Sequence, residues 1–174
     1  MSDSRTQDSF AEIGLQYIIT GRFAMTHRMF QVAGNLYHHG IEYLLKSYLL
    51  RTIGIPDIKN LKHNLVKTWN KVKAISGDTD LSKFDDIIKS LDHFERIRYP
   101  ETVVREGAII AFSVNKPPTK FSKLNPHRNE PIYEISAQEI DELLRGIIKL
   151  TNINFTAYTH WYGNDIDNYL PNLE

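Results

Sequence analysis

Arginine and tyrosine side chains near the middle of the chain have the chemistry to hold a phosphate group. Arg98, Tyr99 and Glu101 lie within one Arg-Tyr-Pro-Glu sequence, and Arg105 follows shortly after it. A guanidinium donates paired N–H bonds to phosphate oxygens, and a tyrosine ring stacks on a base or a ribose. In this interpretation Arg98 and Arg105 bind a phosphate while Tyr99 stacks on the attached nucleoside.

The same sequence also has a structural interpretation. Pro100 disfavours the helical conformation of the residue before it, so it is expected to end a helix. Tyr99 would then pack on the core, and Arg98 would pair with a carboxylate such as Glu42. The two interpretations do not exclude each other, and the sequence leaves both open.

Glu42, Lys46 and His63 are the other candidate binding residues. Glu42 and Lys46 are four positions apart, so on a helix they share a face, with the acid at the favourable N-terminal position. Such a pair stabilises a helix by a few tenths of a kcal/mol. His63 lies near the start of the predicted third helix, and we predict that it serves as a cap or an interhelical hydrogen-bond partner.

Two adjacent histidines, His38 and His39, belong to the same helical pattern. Neighbouring side chains on a helix point about a hundred degrees apart, so we predict that these two do not chelate one ion. His38 with Glu42, or His39 with Tyr43, could form the wall of a site, although a polar edge of the core face is the simpler interpretation. The carboxylates are scattered, so the sequence predicts no metal site and no cofactor.

Composition and motifs exclude several classes of function. The 21 basic residues balance the 21 acidic ones, which removes a global electrostatic argument for binding nucleic acid or an anionic membrane. There are no cysteines, so thiol nucleophiles, disulfides and cysteine zinc sites are absent. The chain carries no HExxH sequence, phosphate-binding glycine loop or Gly-x-Ser-x-Gly elbow. Without a signal sequence or a long apolar run, we expect a cytoplasmic protein with no membrane contact.

Hydrophobic periodicity predicts four helices before residue 100. The first begins at Ser9, which forms a capping box with Glu12. The second is the strongest prediction, and its Gly34 and Gly40 indicate a neighbouring backbone at close range because glycine weakens a helix interior. The four are expected over residues 9–21 (or on to 28), 30–50, 60–76 and 80–97.

The pattern changes after Pro100, where an insertion over residues 102–135 is predicted. Two short runs with strand-like composition, 108–114 and 132–135, enclose a proline-rich basic loop, so we predict a small β-hairpin. A fifth helix begins at Ser136, which forms a capping box with Glu139, and extends to about Tyr162. The fold class is all-α: a single domain over 1–174, an up-and-down bundle of about five helices.

The order of these features resembles the HEPN family (higher eukaryote and prokaryote nucleotide-binding domains). The resemblance rests on Glu42 and Lys46 in GIEYLLKSYLL, His63 in LKHNL and the RYPE sequence at 98–101, and it covers less than half of the chain. It implies a helical bundle that often dimerises. Members are commonly associated with a small nucleotidyltransferase, and include toxins, RNA-binding modules and ribonucleases of defence systems.

Catalytic members carry an arginine followed four to six residues later by a histidine near the end of the bundle. Arg96, Arg98, Arg105 and Arg145 have no histidine at that spacing. Arg22 and His27 do, but in or after the first helix, where the family does not place the pair. This departure argues against an active nuclease.

The sequence leaves three hypotheses about function. The first is a non-catalytic HEPN-like module, dimeric, that binds a nucleotide, RNA or a nucleotidyltransferase partner, possibly within a toxin–antitoxin or defence system. The second is a metal-free ribonuclease toxin that uses displaced residues such as Arg22, His27 or His93. The third is a structural domain that binds another polypeptide. We expect a homodimer in the first case, because a two-fold helical interface would bury a surplus apolar face.

Overall fold

The computed structural model describes residues 4–117, 119–124 and 129–153. Five helices of ten residues or more dominate this part of the chain, and shorter helices and two strands connect them. The helices are α1 (Ser4–Thr26), α2 (Phe30–Leu49), α3 (Ile55–Asn60), α4 (Leu65–Ser76), α5 (Asp85–Phe94), α6 (Pro100–Glu106), α7 (Phe121–Leu124) and α8 (Ala137–Thr151). The strands are β1 (Ile109–Ser113) and β2 (Ile132–Ser136), and 3₁₀ helices span Thr79–Phe84 and Glu95–Arg98.

Helix α2 lies at the centre and contacts α1, α4, α5 and α8. Its buried residues occupy almost every side of the helix, which agrees with its continuous apolar sequence. The predicted all-α bundle of about five helices is thus confirmed for the described residues. Among them, none of the helices has the length and apolarity needed to cross a membrane.

Helices α1 and α2 form an antiparallel hairpin. Helix α1 begins at Ser4 rather than Ser9, and the predicted capping box is wrong because the Ser9 hydroxyl donates to the Arg5 carbonyl inside the helix. The helix ends with Arg28 in the left-handed conformation, φ 62°. The Met29 amide then donates to the Ala24 carbonyl at 2.8 Å, the bond that closes a Schellman motif. No glycine marks this turn, which explains why the sequence left its position uncertain.

The predicted third helix, residues 60–76, corresponds to α4, which begins only at Leu65, and the short helix α3 before it was not predicted. Residues 61–64 form a turn between α3 and α4, with Lys62 in the left-handed conformation, φ 52°. Asn64 caps α4, since its side chain accepts a hydrogen bond from the Lys67 amide at 2.6 Å. Gly77 ends α4 at φ 66°, as predicted.

The predicted fourth helix is α5 with a 3₁₀ helix at each end. Tyr99 adopts an extended conformation, φ −98° and ψ 119°, as expected of a residue before proline. Pro100 does not only end the structure before it, because it also occupies the first turn of α6, where its missing N–H costs nothing.

The glycines of α2 make room for neighbours in the same chain. A Cβ on Gly34 would lie 2.1 Å from the Phe94 ring, and one on Gly40 would lie 2.6 Å from Ile18 and 3.0 Å from the Gly14 carbonyl. The close approach predicted from these glycines is therefore internal. It gives no support to a dimer.

The insertion does not contain a hairpin. Strands β1 and β2 are parallel, with Ile109 opposite Ile132 and Ser113 opposite Ser136. Parallel neighbours need a crossover of a dozen residues or more, and the long segment between the strands, which includes α7, supplies one. That loop length was the signal against a hairpin. The sheet packs on the bundle through Phe112, whose ring stacks on Phe30 at 4.5 Å.

Helix α8 begins as predicted. The Ser136 side chain accepts a hydrogen bond from the Glu139 amide, and the helix ends at Thr151, with Asn152 in the left-handed conformation at φ 51°. The predicted continuation through Phe155 to Tyr162 lies outside the described residues.

Candidate functional site

Five side chains meet beside the middle of α2 and form what we call the histidine–carboxylate cluster: His38, His39, Glu42, His63 and Glu95. Helix α2 supplies the first three, the turn before α4 supplies His63, and the 3₁₀ helix after α5 supplies Glu95. Ion-pair contacts connect all five side chains. Sequence analysis identified Glu42 and His63 as site residues and considered His38 as a neighbour of Glu42, but it did not show that His39 and Glu95 join them.

Glu42 is the central member. Its residue is 1% exposed, yet its Oε1 accepts a hydrogen bond from Lys46 Nζ at 2.5 Å. Its Oε2 lies 3.3 Å from His63 Nδ1 and 3.5 Å from His39 Nδ1. The predicted Glu42–Lys46 pair is present, but it is buried, and so its removal should cost far more than the few tenths of a kcal/mol expected of an exposed helix pair.

Lys46 connects two parts of the fold. Besides Glu42, its Nζ donates to the Lys62 carbonyl at 2.5 Å. That carbonyl belongs to the left-handed residue next to His63, so Lys46 holds the turn that carries the histidine. The prediction that His63 is an interhelical hydrogen-bond partner agrees with its contact to Glu42 on α2.

The Glu42 carboxylate stays ionised. Burial alone raises its pKa, but hydrogen bonds from His39, Lys46 and His63 together with the charge of Lys46 outweigh burial and hold the pKa at about 2. The carboxylate is therefore a permanent negative charge at the centre of the cluster at any physiological pH.

His38 is completely buried. Its Nδ1 lies 3.1 Å from the Leu91 carbonyl. Its Nε2 lies 3.8 Å from Glu42 Oε2 and has no hydrogen-bond partner among the residues that the structure describes. Burial lowers the pKa of His38, which favours the neutral ring. His38 and Glu42, which the sequence offered as one of two possible pairs, therefore lie side by side, at a distance beyond a hydrogen bond.

The structure brings acidic and histidine side chains together, although the sequence showed only scattered carboxylates. Ligand atoms of His38, His39 and Glu95 all lie within 4.8 Å of one another, and so do those of His39, Glu42 and His63. The adjacent histidines were expected to diverge, but their ring centroids are 5.1 Å apart and Glu95 from another element reaches both. An acid–histidine cluster therefore exists, assembled from three elements whose proximity the sequence could not show.

Arg98 and Tyr99 lie at the outer edge of the cluster. The suggested Arg98–Glu42 pair is wrong, because Arg98 NH1 pairs instead with Glu95 Oε1 at 3.2 Å. Tyr99 does not pack on the core. It is 52% exposed, and the Arg98 guanidinium carbon lies 5.6 Å from its ring centroid. Glu95 thus connects the cluster to this exposed pair.

The other predicted residues of this region are exposed on α6 or beside it. Arg105 pairs with Glu106 at 2.8 Å, and Arg96 pairs with the second oxygen of the same carboxylate at 2.7 Å. The Arg105 hydrogen bond keeps the pKa of Glu106 below its usual value. Glu101 is exposed in the first turn of α6.

The displaced ribonuclease candidates are separated from one another. Arg22 is buried and forms an ion pair with Asp141 on α8, whereas His27 is exposed and stacks on Phe23 with ring centroids 4.1 Å apart. His93 is exposed on α5, as expected of a surface residue. Arg22 and His27 therefore do not form a shared site in this structure.

A separate cavity of about 690 Å³ lies between α5, the sheet and α7. Both positively charged lysines and negatively charged carboxylates line it. None of the candidate site residues named in the sequence analysis lies in it. The basic composition of residues 116–123 was the only sequence signal for it. The lining lysines are Lys83, Lys116, Lys120 and Lys123.

No protein-family model matches the chain, and searches of curated proteins and of solved structures likewise found no match.

Proposed function

We propose that the chain is a non-catalytic, HEPN-like binding module whose Arg98–Tyr99 surface binds RNA or a nucleotide. The observation that carries the proposal is the exposed guanidinium beside an exposed tyrosine ring. A guanidinium can bind a phosphate while an adjacent aromatic ring stacks on the neighbouring base. Arg96 and Arg105 on the same surface add further donors.

The ion pair between Arg98 and Glu95 does not prevent this role. Both side chains are partly exposed, and such a pair contributes about 0–1 kcal/mol because solvent screens it. A phosphate can therefore take the place of the Glu95 carboxylate at little cost. Pro100 fixes the backbone beside Tyr99, which limits the entropy lost when the ring stacks.

Binding of a short fluorescein-labelled single-stranded RNA, and of ATP, tests this surface. We expect Tyr99→Ala to weaken RNA binding by roughly 5-fold to 100-fold, the usual range for one lost stacking contact. Arg98→Ala should also weaken it and reduce the salt dependence of the binding constant by about one phosphate contact. The free energy of unfolding of both variants should lie within about 1 kcal/mol of that of the wild type, because neither side chain is buried.

Arg145→Ala on α8 is the matched control, as it also removes an exposed arginine. The proposal is wrong if neither probe binds, or if Arg145→Ala weakens binding as much as Arg98→Ala. A large loss of stability in Arg98→Ala with binding intact would instead restore the structural interpretation of this residue.

A metal-free ribonuclease is the second candidate, because one observation favours it. The exposed His63 ring faces an ionised, buried Glu42, and a histidine oriented by a carboxylate is a common general acid or base. Incubating labelled RNA with the protein in excess chelator tests it, and the module hypothesis predicts no cleavage. Cleavage that disappears in His63→Ala but persists in His93→Ala would reverse the order of the two candidates.

A homodimer, with or without a nucleotidyltransferase partner, completes the proposal. Exposed apolar side chains at the α1–α2 turn support it: Phe23, Met29 and Val32. We expect light scattering to give twice the 20.2 kDa chain mass, and Val32→Asp to halve it. Val104→Asp on α6, which also changes an exposed valine, serves as the control. A 20.2 kDa particle from the wild type at micromolar concentration would contradict the dimer.

A further inference from the structure

The buried half of the histidine–carboxylate cluster contains more hydrogen-bond acceptors than donors. His38 Nδ1 faces the Leu91 carbonyl at 3.1 Å, and a carbonyl only accepts, so the proton of the neutral ring lies on Nδ1. His38 Nε2 therefore presents a lone pair. That atom is buried and has no hydrogen-bond partner in the described part of the chain.

Glu95 presents a second buried acceptor. Its Oε2 is inaccessible to solvent and has no hydrogen-bond partner within residues 4–117, 119–124 and 129–153, while its Oε1 pairs with Arg98. The nearest ring nitrogen in the ion-pair contacts is His39 Nε2, at 3.6 Å. A hydrogen bond at that distance would be too long to offset burial of a carboxylate oxygen.

His39 faces carboxylates with both of its ring nitrogens. Its Nδ1 lies 3.5 Å from Glu42 Oε2, so a neutral ring with its proton on Nδ1 points a lone pair at Glu95. Three electron-pair donors, from His38, His39 and Glu95, then lie within 4.8 Å of one another. Neutral imidazole nitrogens and carboxylate oxygens are the ligand atoms of borderline divalent transition metals.

We propose that His38, His39 and Glu95 bind a divalent transition-metal ion of the zinc class. Metal–ligand bonds of about 2.0–2.1 Å place tetrahedral ligand atoms roughly 3.3–3.5 Å apart, close to the 3.6 Å between His39 Nε2 and Glu95 Oε2. The bond from His38 Nδ1 to the Leu91 carbonyl is the outer contact that usually orients a ligating histidine.

The neighbouring group of His39, Glu42 and His63 is the less suitable site. Glu42 is already neutralised by the buried Lys46 ammonium at 2.5 Å, which repels a cation at short range in a weakly screened environment. The Arg98 guanidinium that pairs with Glu95 is partly exposed, so solvent screens its charge. The difference in screening favours the group that contains Glu95.

The unpaired carboxylate oxygen of Glu95 also has an explanation that needs no metal ion. A doubly protonated His39 between Glu42 and Glu95 would satisfy both carboxylates without any ion, although it would leave His38 Nε2 without a partner. Titration of the protein with Zn²⁺ after dialysis against a chelator distinguishes the two. Calorimetry and the thermal unfolding midpoint are the readouts, and Mg²⁺ serves as the hard-ion comparison.

We expect one Zn²⁺ per chain, a raised unfolding midpoint and no comparable effect of Mg²⁺. Glu95→Gln and His39→Gln should weaken Zn²⁺ binding at least about 10-fold, while His93→Ala, which removes an exposed histidine, should not. Co²⁺ should give visible absorption bands that Glu95→Gln changes. Neither substitution empties the core, so the folded variants remain measurable.

Three outcomes would overturn the proposal. Zn²⁺ that fails to bind leaves the protonated His39 as the bridge between the carboxylates. Binding that survives in Glu95→Gln and His39→Gln places the ion elsewhere. Binding that is lost in His63→Ala but kept in Glu95→Gln places it in the group around Glu42.

Discussion

Replacing Glu42 with glutamine is expected to lower the free energy of unfolding by about 3–5 kcal/mol, the usual cost of breaking a buried ion pair. Glutamine keeps the shape of the side chain, so the loss comes from the charge and not from a cavity. Lys46 would remain in a buried position beside the Lys62 carbonyl without its counter-ion. His39 and His63 would lose the charged acceptor that they share.

The difference in unfolding free energy between wild type and Glu42→Gln should depend on pH, and this dependence identifies the Glu42 carboxylate as the cause of the lost stability. The pKa of Glu42 is lowered to about 2 in the folded protein, from the ordinary value of 4.5 for a glutamate carboxyl. A depressed carboxyl pKa contributes stability that is complete above the unfolded pKa and is lost as the pH falls through the folded pKa. Wild type and Glu42→Gln should therefore differ most above about pH 5, and the gap should narrow by about 3 kcal/mol towards pH 2.

Denaturant unfolding monitored between pH 2 and pH 7 measures both quantities. Glu12→Gln removes an exposed carboxylate from α1 and serves as the matched control, with an expected change of less than about 0.5 kcal/mol. A Glu42→Gln protein as stable as this control, or a difference that does not narrow in acid, would show that the pair does not stabilise the fold.

Periodicity was enough to predict the main helices, because each of them has to bury a continuous apolar face. The spacing of Glu42 and Lys46 also predicted their contact correctly, since it depends only on one helix. The burial of that contact could not be predicted. It depends on the turn at Lys62 and on α5, which reach α2 only after the chain has folded.

The site shows the same division. Glu42, Lys46 and His63 were identified as candidates, but Glu95 was not, because it lies 53 positions after Glu42 and nothing local relates the two. The sequence analysis paired Arg98 with Glu42, a distant carboxylate, although its actual partner lies close to it in the chain. Glu95 is only three positions from Arg98, and the 3₁₀ turn that brings them together was read as the end of a regular helix.

The parallel sheet could have been anticipated in part. Strand-like composition located β1 and β2, but a short pair of strands in an insertion suggests a hairpin by default. A short connection allows only antiparallel strands, whereas a long one such as this permits either direction. The return path through α7 and the packing of Phe112 on Phe30 decide it, and neither is visible in the composition of the strands.

Replacing Gly34 with alanine is expected to destabilise the protein by at least about 2 kcal/mol. The added Cβ would lie 2.1 Å from Phe94 Cδ1 and 2.2 Å from Cε1, distances that no folded protein accommodates without movement. Overpacking of a core usually costs about 1–3 kcal/mol, occasionally more. Alanine regains roughly 1 kcal/mol through its better helix propensity, which makes the net loss a lower bound on the steric cost.

The Phe94 ring has little freedom to move away. It is completely buried, and Tyr133 of β2 packs against it with ring centroids 5.6 Å apart. The clash should therefore separate α2 from α5, the contact that brings Glu95 to the histidines. We expect the thermal midpoint to fall by roughly 4–8 °C, given 2–4 °C per kcal/mol for a chain of this size.

Gly21→Ala is the matched control, because this glycine also lies inside a helix but its Cβ would meet neighbours at an ordinary 3.4 Å. It should be neutral or up to about 1 kcal/mol more stable than the wild type. Combining Gly34→Ala with Phe94→Leu should cost less than the sum of the two single changes, because the smaller side chain removes the clash. The proposed contact between Phe94 and the backbone of α2 would be contradicted by either of two results. One is a double variant whose loss in unfolding free energy equals the sum of the two single losses, and the other is a Gly34→Ala protein as stable as Gly21→Ala.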